Sequence, residues 1–162
     1  MKHILCKTIL LISIIFAIIS LTTPHWAKAT ISTGNFSASE TIGLFTHCDT
    51  INKQNTICEE SSVTDNIKMA RNLIIISILC LVTSLISSCM LDKNPTSQIF
   101  HNIGMVSYIL GIILMCIGII MITNTISQNS KQKFTYGYSF YTAIMVVILA
   151  VSAGVCRIIN KN

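Results

Sequence analysis

The sequence predicts a mainly α membrane protein, a left-handed bundle of four transmembrane helices with a small antiparallel β-sheet on its outer side. Three observations predict it. The 162-residue chain is 52% hydrophobic and only 10% charged, whereas soluble domains carry about 25% charged residues. Four apolar segments approach or exceed the ~20 residues that cross a bilayer. In each of them, small residues recur seven positions apart. The length leaves room for one domain, residues 1–162.

The spans fall at about 4–23, 72–91, 99–123 and 137–159. The first has a competing reading. A short basic stretch opens it and Ala27-Lys28-Ala29 has the small-x-small form of a signal-peptidase site, so cleavage would leave three spans. Its apolar run of roughly 16 residues is longer than the usual 7–15 of a signal peptide. It also closes on Pro24-His25-Trp26, as membrane helices commonly do. An uncleaved first helix is therefore expected.

Four spans put both termini on one side, with loops 24–68 and 124–136 opposite and 92–98 as a short turn beside the termini. The net charge of +5 comes from eleven Lys and Arg scattered singly. That scatter speaks against nucleic acid, which calls for a basic patch. The positive charges divide five to six between the two sides, too evenly to orient the chain, although the terminal side is denser in them.

The long loop offers more. Asn35-Phe36-Ser37 is an N-glycosylation sequon, usable only on the lumenal or outer side. Cys48 and Cys58 are the only cysteines outside the spans and their margins, and an isolated pair in a non-cytoplasmic loop most naturally forms a disulfide. Two free thiols in a cytosolic loop are one alternative. A metal site with His47 is another, weakened because adjacent residues rarely ligate one zinc and no fourth ligand is evident. The disulfide reading puts both termini in the cytoplasm. Cys6, Cys89 and Cys156 then sit at cytoplasmic helix ends, where they are either palmitoylation candidates or small buried apolar residues.

Lipid supplies no hydrophobic drive between helices, so small residues mark where backbones approach. Ser13 and Ser20, Ser77 and Ser84, Gly104, Gly111 and Gly118, and Ala143 and Ala150 are spaced by seven, which keeps one face inward in a left-handed bundle. The spans lack the paired ionisable residues of an ion or proton pathway and the broken half-helices of a transporter site. No nucleophile–base set, nucleotide loop or paired carboxylates points to an enzyme or a cofactor. Function is expected on the outer face or in lateral association with lipid and with other copies.

The outer loops read as strands. Thr30 to Thr33 is β-branched at three of four positions, and residues 41–48 alternate. Residues 59–69 fit a short helix leading into the second span, and Lys133 to Tyr136 an edge strand. Trp26 after the first span, then Gly43-Leu44-Phe45-x-x-Cys48 and, nine residues later, Cys58, resemble the claudin pattern W…GLW-x-x-C-x9-C. Ala70-Arg71-x-Leu73 is similar to the entry of a claudin's second helix, and Gly104 and Gly111 to its third-helix glycines. Tyr136 to Tyr141 is equally similar to the fourth-helix entry of peripheral myelin protein, epithelial membrane proteins and calcium-channel gamma subunits, all of one tetraspan superfamily.

The resemblance implies a left-handed four-helix bundle under an extracellular sheet, with Trp26 and the Gly43-Leu44-Phe45 turn anchored near the membrane. It implies a plasma-membrane structural and adhesion protein that self-associates side by side and head to head across cells, as a junctional barrier or paracellular pore. In claudins the residue after the second cysteine lines the pore; here that is Glu59, followed by Glu60, which would favour cations. The alternatives are an auxiliary subunit of a channel or receptor, or a membrane organiser of the peripheral-myelin kind. Phe45 stands where claudins have Trp. The second loop lacks their aromatic-proline tip, and the tail ends Asn160-Lys161-Asn162 rather than in the PDZ-binding Tyr-Val.

Overall fold

A computed structural model describes residues 2–33, 36–51, 55–60, 65–93, 97–128 and 134–159. The sequon at Asn35 lies outside the described residues. In chain order the elements are α1 (Lys2–Thr22), β1 (Ala27–Thr33), β2 (Phe36–Ile42), β3 (Thr46–Ile51), β4 (Asn55–Glu60), α2 (Asp65–Lys93), α3 (Gln98–Gln128), β5 (Phe134–Tyr136) and α4 (Tyr138–Ile159).

Among the described residues four helices are long and apolar enough to cross a membrane. Their outer faces expose Ile15, Ile19, Leu79, Ile86, Ile113, Ile120 and Ile148. Soluble proteins do not leave so broad an apolar belt open to water, so the chain is a multi-pass membrane protein. Within the bundle α1 packs mainly on α4 and α2 mainly on α3, with lighter α1–α2 and α3–α4 contacts closing the ring.

The small residues sit where backbones meet, and their spacing sets a register. On the α1–α4 seam, Ser13 donates to the Val146 carbonyl at 3.1 Å and Ser20 to the Ser139 carbonyl at 2.8 Å. Two antiparallel helices thus pair over the same seven-residue step, with Ala17 and Ala143 fully buried between. On the α2–α3 seam, Ala70, Ser77 and Ser84 face Gly118, Gly111 and Gly104 in turn. Ser77 donates to the Gly111 carbonyl at 2.7 Å. A Cβ on Gly118 would come within 2.9 Å of Ile74 Cγ1, so that approach requires a residue without a side chain.

Two boundaries differ from the sequence reading. The helix expected over 59–69 begins at Asp65 and runs on into the second span, with Glu59 and Glu60 in β4 instead. The third helix continues to Gln128, so the first turns of α2 and the last turns of α3 extend beyond the apolar segments. Ile67 and Ile126 are buried there in one cluster with Ile74 and Ile122. That shared apolar stripe continues the helices past the bilayer. At 1.5 Å per residue α3 is about 46 Å long, against a hydrocarbon core of ~30 Å.

The strands form one antiparallel sheet in the order β4-β3-β2-β1-β5. The alternating run at 41–48 is two strands and a turn: Ile42 ends β2, Thr46 begins β3, and the Gly43 N–H donates to the Thr46 carbonyl at 2.9 Å. A Cβ at Gly43 would lie 2.6 Å from Pro24 Cα, so the turn closes here because only glycine lets it press on the chain leaving α1.

Candidate functional site

The sheet is fastened to the bundle around Trp26, which is 1% exposed. Its backbone N–H donates to the Ile42 carbonyl at 3.0 Å, and its carbonyl accepts from Gly137 at 3.0 Å. Trp26 thereby lies between β2 and the chain entering α4. Its indole N–H donates to the Ser20 carbonyl at 2.9 Å, satisfying one of the acceptors that the end of a helix leaves open. Phe140 meets the indole edge-on, with centroids 6.5 Å apart. Next door, the Ser139 N–H at the start of α4 donates to the His25 carbonyl at 3.2 Å, and the Thr23 and Ser139 hydroxyls are 2.6 Å apart.

The Gly43-Leu44-Phe45 turn splits its two apolar side chains. Leu44 is buried in the main core cluster. Phe45 is 38% exposed, and the Arg71 guanidinium lies over its ring, 4.9 Å from the centroid. This is a cation–π contact, and it joins the turn to α2. The structure therefore brings together Trp26, Gly43, Leu44, Phe45 and Arg71 at the junction of sheet and bundle.

Cys48 and Cys58 face each other in the β3–β4 register and are disulfide-bonded, with Cα atoms 4.1 Å apart. With both sulfurs in that bond, the free-thiol and thiolate-metal readings of this pair fall away. Glu59 and Glu60 continue β4, paired with His47 and Thr46, so their backbones lie along an edge of the sheet.

The opposite end of the bundle holds what the sequence reading missed. Cys6 and Cys156 are joined by a disulfide that ties α1 to α4, with Cα atoms 5.8 Å apart. A bonded sulfur cannot carry a thioester, so palmitoylation of Cys6 and Cys156 is ruled out while the bond stands. Cys89 keeps a free, exposed thiol, and Cys80 and Cys116 are free and partly buried. The signal was available: four spans bring the start of α1 and the end of α4 to one side. The pair also removes an argument, because a disulfide at each end means that disulfides alone do not orient the chain.

This end is also more polar than the spans alone suggested. Lys7 forms an ion pair with Asp92. Tyr108 donates to the Ala150 carbonyl, crossing α4 where Gly154 has no side chain to block it. Lys7, Asp92, Tyr108 and Arg157 line a cavity of about 70 Å³ whose apolar wall includes Leu10 and Ala153. Among the described residues no three His, Cys, Asp or Glu side chains gather as a metal site. Set against known proteins, the chain matches no family model and no curated sequence.

Proposed function

We propose that this chain is a claudin-like structural and adhesion protein of the plasma membrane. Its sheet faces outward and both termini lie in the cytoplasm. It associates side by side with its own copies and head to head across cells, and so builds a junctional barrier or a cation-favouring paracellular pore. What supports this reading above all is the fastening of the sheet to the bundle: Trp26, buried and hydrogen-bonded on three groups, holds β1 and β2 against the ends of α1 and α4. A sheet fixed at a set height above the membrane offers repeatable contact surfaces to neighbouring copies. Among the described residues β4, stapled by Cys48–Cys58, is an edge strand, and such edges template pairing. The sequon at Asn35 supports the outward orientation.

Freeze-fracture microscopy of cells expressing the chain alone tests the reading. Continuous intramembrane strands are expected. Absence of strands together with co-purification of a channel would replace it by the auxiliary-subunit reading, and absence of both by the membrane-organiser reading. Within the pore reading, fixed carboxylates lower the energy of cations in a narrow passage. Replacing Glu59 and Glu60 with Gln is then expected to bring the cation-to-anion ratio from dilution potentials close to its free-solution value. An unchanged ratio would separate the two glutamates from any pore.

A further inference from the structure

We propose that the cavity at the end of the bundle carrying the termini binds the phosphate head group of a net-anionic phospholipid. The inference does not depend on the adhesion reading or on which way the chain faces. Its basis is an imbalance of charge in a partly enclosed place. Lys7 is matched by Asp92. Arg157, half-buried on the same cavity, pairs with no carboxylate among the described residues. Its guanidinium is turned into the bundle, near the position a Cβ would take on Gly104, at 3.5 Å. The lining therefore carries one uncompensated positive charge.

A cation withdrawn from water without a counter-charge is costly, and near a membrane it marks a place where an anion belongs. Guanidinium presents its donors in a planar fork that matches two phosphate oxygens. The volume of about 70 Å³ is several times the ~10–15 Å³ that one water needs, so a tetrahedral group fits.

The level and the walls select a lipid over a free anion. Asp92 and Arg157 close the apolar spans of α2 and α4, which is the depth of the head groups. Leu10, Leu91 and Ala153 give the cavity an apolar side on which the first carbons of an acyl chain can lie. The Tyr108 hydroxyl already donates to the Ala150 carbonyl, and the Ser88 hydroxyl to the Ser84 carbonyl at 2.9 Å. With Lys7 neutralised by Asp92, Arg157 carries the charge left over among these lining groups for the phosphate.

The test uses the full chain, purified in detergent with its disulfides intact. It is offered phosphatidylglycerol and phosphatidylcholine of identical acyl chains in equal amounts, and retained lipid is read by native mass spectrometry. Both lipids offer a phosphate, but phosphatidylcholine also brings a cationic choline beside the uncompensated charge of Arg157. The wild type is therefore expected to keep phosphatidylglycerol in about tenfold excess. Arg157→Gln should abolish the excess and Arg157→Lys retain part of it. Ala153→Leu keeps every charge but fills the cavity, and should lose the bound lipid. Should R157Q fail to keep the Cys6–Cys156 bond, which reports an intact bundle end, the Ala153 variant decides. Equal retention of both lipids by the wild type overturns the proposal. So does an undiminished excess in correctly bonded R157Q or A153L. Displacement of the lipid by an equal concentration of inorganic phosphate overturns the choice of a lipid as the source.

Discussion

The Arg71 guanidinium over the Phe45 ring, 4.9 Å from its centroid, shows how one side chain can tie a turn to a helix. The contact is half-exposed, so it is worth about 0.5–1 kcal/mol. Phe45→Leu and Arg71→Gln are each expected to cost that much in thermal or denaturant unfolding in detergent. The double variant should cost less than the sum, because both remove the same contact. Two serines at one helix seam make a second comparison. Ser77 donates to the Gly111 carbonyl, whereas the buried Ser84 hydroxyl has no partner among the described residues. Ser77→Ala should destabilise by about 0.6 kcal/mol, the usual size of an interhelical hydrogen bond in a membrane. Ser84→Ala should be neutral or stabilising, since an unpaired buried hydroxyl is itself a cost. Denaturant titration in mixed micelles separates the two signs.

Each element follows from a local pattern plus one constraint from its neighbours. The helices are long because an apolar stripe continues past the lipid on α2 and α3, as Ile67 and Ile126 show. The sheet turns at Gly43 because Pro24 leaves no room for a side chain. Among the described residues strand β4 stands at an edge and pairs only with β3, so the Cys48–Cys58 bond carries much of its stability. Closing a loop of about ten residues contributes roughly 2–3 kcal/mol by restricting the unfolded chain. Replacing both cysteines with Ser is expected to expose β4 to limited proteolysis while leaving the helices protected. Cleavage confined to residues 46–60 is the outcome that fits; resistance equal to wild type would show that backbone pairing alone holds the hairpin.

At the scale of the molecule, two disulfides staple opposite ends of one bundle. Cys48–Cys58 closes a hairpin across a separation of 10, and Cys6–Cys156 joins the two ends of the chain across 150. The three remaining cysteines are free thiols. A thiol-reactive mass tag applied to the denatured, unreduced protein is therefore expected to add three increments, and seven after reduction. Five increments before reduction would mean that one of the two bonds does not form, and digestion would identify which. The result also bears on compartment: cytosolic reductants keep thiols reduced. A Cys6–Cys156 bond that persists in cells would argue against a termini-in arrangement.

The sequence by itself determined the membrane class, the four spans and the sheet. Apolar length and period are local properties, and lipid rewards them directly. It also marked the helix seams, because small residues at a step of seven, such as Ser77 and Gly111, have few other reasons to recur inside lipid. Of the candidate site, Cys48–Cys58 was legible as an isolated pair in the one long polar loop, whereas Trp26 and the Gly43-Leu44-Phe45 turn stood out only through their resemblance to the claudin pattern. The tertiary structure alone decided what depends on distant segments meeting. Cys6 finds Cys156 because α1 and α4 pack antiparallel, and Lys7 finds Asp92 across two helix ends. Among the described residues Arg157 is left without a carboxylate, and Tyr108 crosses α4 at Gly154. No periodicity records such encounters: each is fixed by the register of two helices against each other, which the chain settles only once it has folded.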